Sequence, residues 1–471
     1  MRLNAVQVLY KAIALRQILR KVWSVGLDLG TIAGGKYGGR KIIISLGGRH
    51  MVATIASRKS CFGALLTPLF IVIVLSAPAI RAQTFSVLHN FSGGVDGADP
   101  FDGLTADGFG NFYGTTSSGG DADQGAVYKL SNHNGSWILT PLHSFVGGND
   151  GAKPYAGVTI GPDGSLYGTT ISGGLGCAGG CGTIYKLSPP ATVCQRVSCP
   201  WTESVVYRFA NSQQGLNTPY SGVIFDSAGN LYGTTIGGGA GTCQDPGCGA
   251  VYKFTPSGQS GILTVLYSFT GRGDGSTPYA GLTFDPAGNL YGTTYWASLV
   301  TGGYGTVFEL MPSGAGWSEK TLYTFTGGND GGNPWAGVTL DGAGNLYGAT
   351  TEAQNNGLMG AAFELAPSGN SWNYSVLSYL SGSVLGNLTF DGTGNLYGTA
   401  GFGGEYGFGF VFELVHSGAS WSLLDLHDFT YQNHGPNSPW CSVVFDAAGN
   451  LYGTTSDGGT NGFGTIWKLV P

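Results

Sequence analysis

Gly288-Asn289-Leu290-Tyr291-Gly292-Thr293-Thr294, followed by Gly302-Gly303 and Gly305-Thr306-Val307-Phe308-Glu309-Leu310, is one unit of a pattern that recurs along the chain. Its opening heptapeptide occurs seven times, at Gly110, Gly164, Gly229, Gly288, Gly344, Gly394 and Gly449. The tyrosines of the seven copies (Tyr113, Tyr167, Tyr232, Tyr291, Tyr347, Tyr397 and Tyr452) lie 50 to 65 residues apart. Self-similarity at such a period marks a repeat architecture.

Within the fifth copy, four short runs are rich in β-branched and aromatic residues: Ala336–Asp341, Asn345–Thr350, Ala361–Leu365 and Tyr374–Tyr379. Gly, Asn, Ser and Pro clusters separate them, the pattern of four β-strands, here A to D. No sustained helical period follows residue 83. Strand A closes on an aspartate followed, three and four residues later, by Gly-Asn, as from Asp226 to Asn230, Asp285 to Asn289, Asp341 to Asn345, Asp391 to Asn395 and Asp446 to Asn450. An Asp side chain can bond backbone N–H groups just ahead, and Gly can take positive φ, so these aspartates read as A–B turn residues rather than catalytic acids. The second copy, Gly161-Pro162-Asp163-Gly164, has its aspartate displaced. Strand A carries small pairs such as Ala156-Gly157, Ala280-Gly281 and Ala336-Gly337, whereas strand D carries large residues such as Leu322-Tyr323-Thr324-Phe325. A radial arrangement crowds the inner strand, which places A innermost and D outermost.

The chain is out of phase with its repeat. Phe85–Phe91 is a D strand with no A, B or C before it, and Thr465–Leu469 is a C strand with no D after it. An open array would leave two incomplete edges. Pairing the first strand with the last closes a ring, which predicts an all-β fold: a seven-bladed β-propeller with four antiparallel strands per blade, covering residues 83–471. A parallel β-helix is disfavoured by the long period and the four distinct strands per unit. The 85 glycines and 10% charged residues suit hairpins and sheets buried on both faces.

Residues 1–82 hold 12 of the 21 Lys and Arg residues and a single acid, Asp28. Arg58 and Lys59 precede an apolar stretch from Phe62 to Val74, and Ala79-Ile80-Arg81-Ala82 offers small residues for cleavage. Residues 51–82 therefore read as a secretory signal peptide beginning at Met51, and residues 1–50 as an extension from a start assigned too early. An uncleaved anchor is the competing reading, since Phe62 to Ile80 approaches spanning length, but Pro68 and Pro78 oppose it. The remainder has 26 acidic against 9 basic residues, a net charge of −17 with histidine neutral. That opposes phosphate-backbone recognition, so no nucleic-acid partner is expected. After signal cleavage no other segment suits a membrane, so the expected location is secreted or at the cell surface.

Three short-range cysteine pairs, Cys177 with Cys181, Cys194 with Cys199 and Cys243 with Cys248, read as disulfides in an exported protein. Four of these cysteines fall in equivalent B–C loops and could meet at a zinc, the less favoured alternative. Cys441 replaces the small residue of strand A and reads as a buried thiol.

No nucleophile elbow, zinc-protease or phosphate-loop signature is present. His89, His143 and His427 share one repeat position with Tyr207, Tyr267 and Tyr323, which points to blade packing. The aspartates of the D–A loops (Asp96, Asp150, Asp274, Asp330) read as turn residues; calcium is the weaker alternative, and no other cofactor is expected. The tryptophans opening the D strands (Trp137, Trp201, Trp317, Trp372, Trp421) read as edge packing. One constellation suits ligand binding. Phe101, Tyr155, Tyr220, Tyr279, Trp335 and Trp440 enter strand A, and radial symmetry gathers them near the axis; the sixth copy breaks the series with Ser383-Val384-Leu385-Gly386. Aromatic faces pack well on sugar rings, but wedge packing between blades is the favoured role, with ligand binding the alternative. The B–C loops add Tyr295 and Trp296, with Phe402, Tyr406 and Phe463, to the same face.

The unit from Gly288 to Leu310 resembles the GloVer-type tandem repeat of exported bacterial proteins, and the resemblance spans residues 85–471. Through the turn from Asp285 to Asn289 the chain is more loosely similar to NHL-type propellers. The resemblance implies an extracellular setting and brings no reaction or catalytic residues with it. The family's members carry varied C-terminal anchors, whereas this chain ends at Val470-Pro471 directly after strand C, which suggests release from the cell or retention by other means. The expected function is a secreted, non-catalytic scaffold that binds a glycan or a surface protein through its top-face loops. A polysaccharide lyase or hydrolase with acids around the central channel is the alternative.

Overall fold

The computed structural model describes the backbone of residues 29–32, 39–46 and 49–56, and residues 83–471 apart from 175, 178, 191–200, 211–214, 242, 244–246, 258–259, 299–302, 315, 354–357 and 419. Two units divide at Arg81 and Ala82. In the first, Leu29–Ile32, Gly39–Leu46 and Arg49–Ala56 form a three-stranded antiparallel sheet. The apolar stretch from Phe62 to Val74 and the pair Cys194 and Cys199 lie outside the described residues.

The second unit is a seven-bladed propeller. Blade 4 shows the plan: strand A is Thr283–Phe284, B is Leu290–Thr294, C is Thr306–Ser313 and D is Gly316–Thr324, paired in that order. Blades 1, 2 and 3 precede it with B strands Phe112–Thr116, Leu166–Thr170 and Leu231–Thr235. Blades 5, 6 and 7 follow, with B strands Leu346–Ala349, Leu396–Ala400 and Leu451–Thr455. In blade 7 the outer strand is Thr84–Asn90, antiparallel to Thr465–Val470, with Phe85 opposite Leu469 and His89 opposite Ile466. Each C–D pairing carries one register shift just before the central aromatic of strand C, as at Val307/Phe308 and Val411/Phe412. The closing pairing has the same shift, at Ile466/Trp467, so the N-terminal strand docks as a native D strand does.

Each position of the heptapeptide has a physical role. Gly288 has φ +88°, a left-handed turn conformation open to glycine. Leu290 is fully buried, which stabilises by about 2 kcal/mol. The Tyr291 hydroxyl shares its one proton between Glu309, at 2.8 Å, and Asp285, at 3.3 Å. Gly292 lies beneath the Phe308 ring, where a Cβ would come within 2.6 Å of Cζ. Thr293 Oγ1 donates to the Ala336 carbonyl of the next blade at 2.8 Å. The same inter-blade bond runs from Thr115 to Ala156, Thr169 to Ser221, Thr234 to Ala280, Thr399 to Cys441 and Thr454 to Asp102. Blade 5 lacks it because Ala349 stands at that position.

The core is distributed rather than central. Seven hydrophobic clusters sit at the seven blade interfaces; one joins Tyr397, Val411 and Phe429 of blade 6 to Leu451 and Trp467 of blade 7. Tryptophans opening D strands pack on the repeat tyrosine of the preceding blade: Trp317 on Tyr232, Trp372 on Tyr291, Trp421 on Tyr347. They are inter-blade contacts as well as edge cover. Strand A pairs over only two residues, and its small pair precedes the ladder. A Cβ on Gly337 would lie 3.2 Å from the Gly281 carbonyl, and one on Gly157 3.2 Å from that of Gly103, so the inner backbones touch blade to blade.

Candidate functional site

A–B and C–D turns share one end of the propeller; B–C and D–A loops share the other. At the D–A end each loop aspartate is absorbed by its own loop. Asp330 accepts the Thr326 N–H at 2.8 Å and the Tyr323 hydroxyl at 2.9 Å. Asp150 accepts the Val146 N–H at 2.8 Å and meets His143 Nε2 at 3.1 Å; Asp96 meets His89 Nε2 at 3.0 Å. His427 instead stacks on Phe85 at 3.9 Å, and burial lowers its pKa. The repeat-linked histidines are therefore blade and loop packing. Cys177 and Cys181 form a disulfide, as do Cys243 and Cys248, so the sulfurs of each loop are joined to each other and offer no thiolates to zinc. Cys441 is a buried free thiol.

The aromatics entering strand A form a nearly continuous collar around the axis. Trp440 lies 5.6 Å from Phe101, Phe101 4.8 Å from Tyr155, Tyr155 5.1 Å from Tyr220, and Tyr220 5.1 Å from Tyr279, centroid to centroid. Tyr279 and Trp335 stack at 4.0 Å with planes 7° apart. All six are half-buried, with part of each surface open. Tyr295 backs Tyr279 at 5.4 Å and Trp335 at 5.6 Å; Trp296 adjoins Tyr295 at 4.9 Å. Phe402 from the blade 6 B–C loop reaches Trp440 at 5.4 Å, with Tyr406 exposed on the same loop. The collar opens only at blade 6, where Leu385 takes the aromatic position.

Beneath the collar lies an axial cavity of about 300 Å³, walled by the strand A backbones. Tyr155, Tyr220, Tyr279, Trp335 and Trp440 all line it; Tyr295 and Trp296 stand behind its rim. Thr105, Thr159 and Ser221 contribute hydroxyls to the wall, and three further polar side chains depart from the repeat. Asp102 replaces the repeat's Ala and accepts the N–H groups of Gly103 and Gly157, both at 2.7 Å. Asn387 replaces its Gly and accepts the Gly337 N–H at 2.8 Å. Ser442 Oγ accepts the Asn387 N–H at 2.9 Å. Burial raises the pKa of Asp102, and its two backbone bonds oppose that rise without cancelling it. Burial also raises Tyr220, with the Tyr155, Tyr279 and Asp102 groups adding to the effect. Among the described residues no Lys, Arg or His lines the cavity.

Sequence reasoning located the collar and missed Asp102, Asn387 and Ser442. Their signal was present: a polar residue at a repeat position otherwise held by Ala156, Ala280 and Ala336, or by Gly157, Gly222, Gly281 and Gly337. Among the described residues no group of three or more His, Cys, Asp or Glu suits a metal, and no helix is long and apolar enough to cross a membrane.

Among solved structures the chain is similar in fold to a protein from Lactobacillus plantarum, at 12% identity over 88% of this chain and 97% of that one, with a TM-score of 0.44. It is also similar to an ulvan lyase, a polysaccharide lyase, at 11% identity over 80% of this chain and 94% of that one, TM-score 0.44. A Hadza microbial sialidase matches at 9% identity over 78% of this chain and 74% of that one, TM-score 0.39. No curated protein matches the sequence. The profile of the Gloeobacter/Verrucomicrobia repeat matches twice, over residues 78–243 and 241–383, more than half of the chain between them. The chain belongs to the Gloeobacter/Verrucomicrobia repeat family.

Proposed function

We propose that this protein is an exported, non-catalytic propeller that holds a glycan against its aromatic collar. One observation carries the reading: six aromatic rings meet at the mouth of one cavity, and none is fully buried. Rings recruited only as blade wedges would be closed off by their neighbours; these keep area open, as a platform for the apolar face of a sugar requires. The rim loops extend the platform through Trp296, Phe402 and Tyr406, each at least a third exposed. A chain of several sugars suits that spread better than a single one. Export is supported by the disulfides of the described residues, Cys177–Cys181 and Cys243–Cys248.

Glycoside hydrolysis by the ordinary route needs two carboxylates across the scissile bond. The cavity wall presents one, Asp102, and it is already bonded to two backbone N–H groups. The test is a panel of soluble polysaccharides run against the purified protein, scoring retention and the appearance of reducing or unsaturated ends. Retention without new ends is expected. New ends from the wild type, absent in Asp102→Ala, would replace the binding reading with an enzymatic one.

A further inference from the structure

The axial cavity combines three features that the glycan reading alone does not require. Its mouth is a ring of aromatic rings, whose π faces are electronegative. Its wall carries one carboxylate, Asp102, placed where other blades have Ala156, Ala280 and Ala336. Neither Lys, Arg nor His among the lining residues offsets that charge.

Asp102 is not a turn residue. Its two backbone bonds, to Gly103 and Gly157, fix the carboxylate at the axis but bring no positive charge. Each oxygen accepts one N–H and keeps a further lone pair. Tyr220 of the collar lines the same cavity as Asp102. A buried carboxylate is costly unless a cation meets it. Electronegative ring faces above an uncompensated anion favour an organic cation, through cation–π contact at the mouth and an ion pair below. The net charge of −17 over the second unit's sequence raises the local concentration of cations further.

We infer that the cavity is a receptor for a protonated amine, with Asp102 as its counter-ion and the collar as its cage. The inference rests on the glycan reading and sharpens it: the preferred sugar bears a free amino group, as in a glucosamine oligomer, in preference to its N-acetylated counterpart. The acetyl group removes the charge and would leave Asp102 uncompensated beneath a neutral ring.

The test is calorimetric titration of the full-length exported chain with glucosamine and N-acetylglucosamine oligomers of equal length, at fixed ionic strength and at pH 6. The amine oligomer is expected to bind at least about tenfold more tightly, and Asp102→Ala to abolish that preference. Asp102→Ala installs the residue that three other blades carry at this position but frees the Gly103 and Gly157 N–H groups, so Asp102→Asn, which keeps an acceptor and loses the charge, is run beside it and should lose the preference as well. Tetramethylammonium chloride is the probe for the cage without a sugar, and it should compete with the amine oligomer. Equal affinity for the two oligomers, or a preference that survives Asp102→Ala, overturns the amine inference and leaves the glycan reading standing. Failure of both oligomers to bind, with tetramethylammonium also silent, overturns the inference; the glycan reading then stands or falls on the polysaccharide panel.

Discussion

At the A–B turn end, Asp107, Asp226, Asp285, Asp341 and Asp446 repeat one set of bonds, and Asp391 keeps the Asn395 bonds but takes the Thr393 hydroxyl in place of the tyrosine. In Asp226, Oδ1 accepts the N–H groups of Ala228 and Asn230, both at 2.9 Å, while Oδ2 takes the Asn230 amide at 2.6 Å and the Tyr232 hydroxyl at 3.0 Å. Asp446 does the same with Ala448, Asn450 and Tyr452. At the collar end, the equivalent positions run from Phe101 through Tyr155 and Trp335 to Leu385 and Trp440, and the residue that follows varies from Ala to Gly, Ser, Cys or Asp. The first end has one solution because a hairpin must close in every blade. The second has room to vary because only the small, close-packed backbone of strand A is required there. Variation on a fixed frame is where a binding function is expected to sit.

That contrast can be broken by mutation. The largest expected loss is in the frame that both ends share: Leu290→Ala removes a fully buried side chain between blades and should cost about 3 kcal/mol, read by denaturant unfolding. Asp446→Ala comes next. It frees two N–H groups, an amide and a phenol at a partly solvated turn, for about 1–2 kcal/mol.

These turns also set the acid response. Burial alone would raise Asp226 and Asp446, but the Asn, Tyr and backbone donors outweigh it and hold both below the usual range. Their folded pKa lies under the unfolded value of about 3.8, so their contribution is complete above that pH and lost as pH falls through the folded value. Stability measured from pH 6 down to 2 should fall steeply below about 4, and less steeply in Asp446→Ala. Collar variants should leave the acid limb unchanged.

The smallest effect concerns the middle of the blades. Tyr128, Tyr185 and Tyr252 bury hydroxyls that have no hydrogen-bond partner, where blades 4 to 6 carry Phe308, Phe363 and Phe412. Tyr252→Phe should be neutral or stabilising by up to about 1 kcal/mol. A clear loss would reveal a bonded internal water at that hydroxyl.

Much of the frame was legible in the sequence because each structural demand recurs seven times. The turn aspartates, the crowded inner strand and the unpaired runs at both ends all pointed to a closed ring, and the pairing of Thr84–Asn90 with Thr465–Val470 bears it out. The collar was legible for the same reason. What the repeat hid was its own exceptions. Asp102 follows an expected aromatic and was not singled out in the sequence; the fold sets it on the wall of the axial cavity. Asn387 and Ala349 sit at the one interface where the collar gap and the missing threonine bond coincide. The threonine bonds between blades were not foreseen, since a side chain's reach to the next repeat has no signature within one repeat.

Two tryptophans at opposite ends supply the most direct test that the collar is the binding end. Trp335 stacks in the collar, and Trp317 packs on Tyr232 where strand D leaves the C–D turn. In affinity electrophoresis against whichever polysaccharide retains the wild type, Trp335→Ala should run free while Trp317→Ala remains retarded, both with native circular dichroism. Retardation of Trp335→Ala equal to wild type, or its loss in folded Trp317→Ala, would contradict the account.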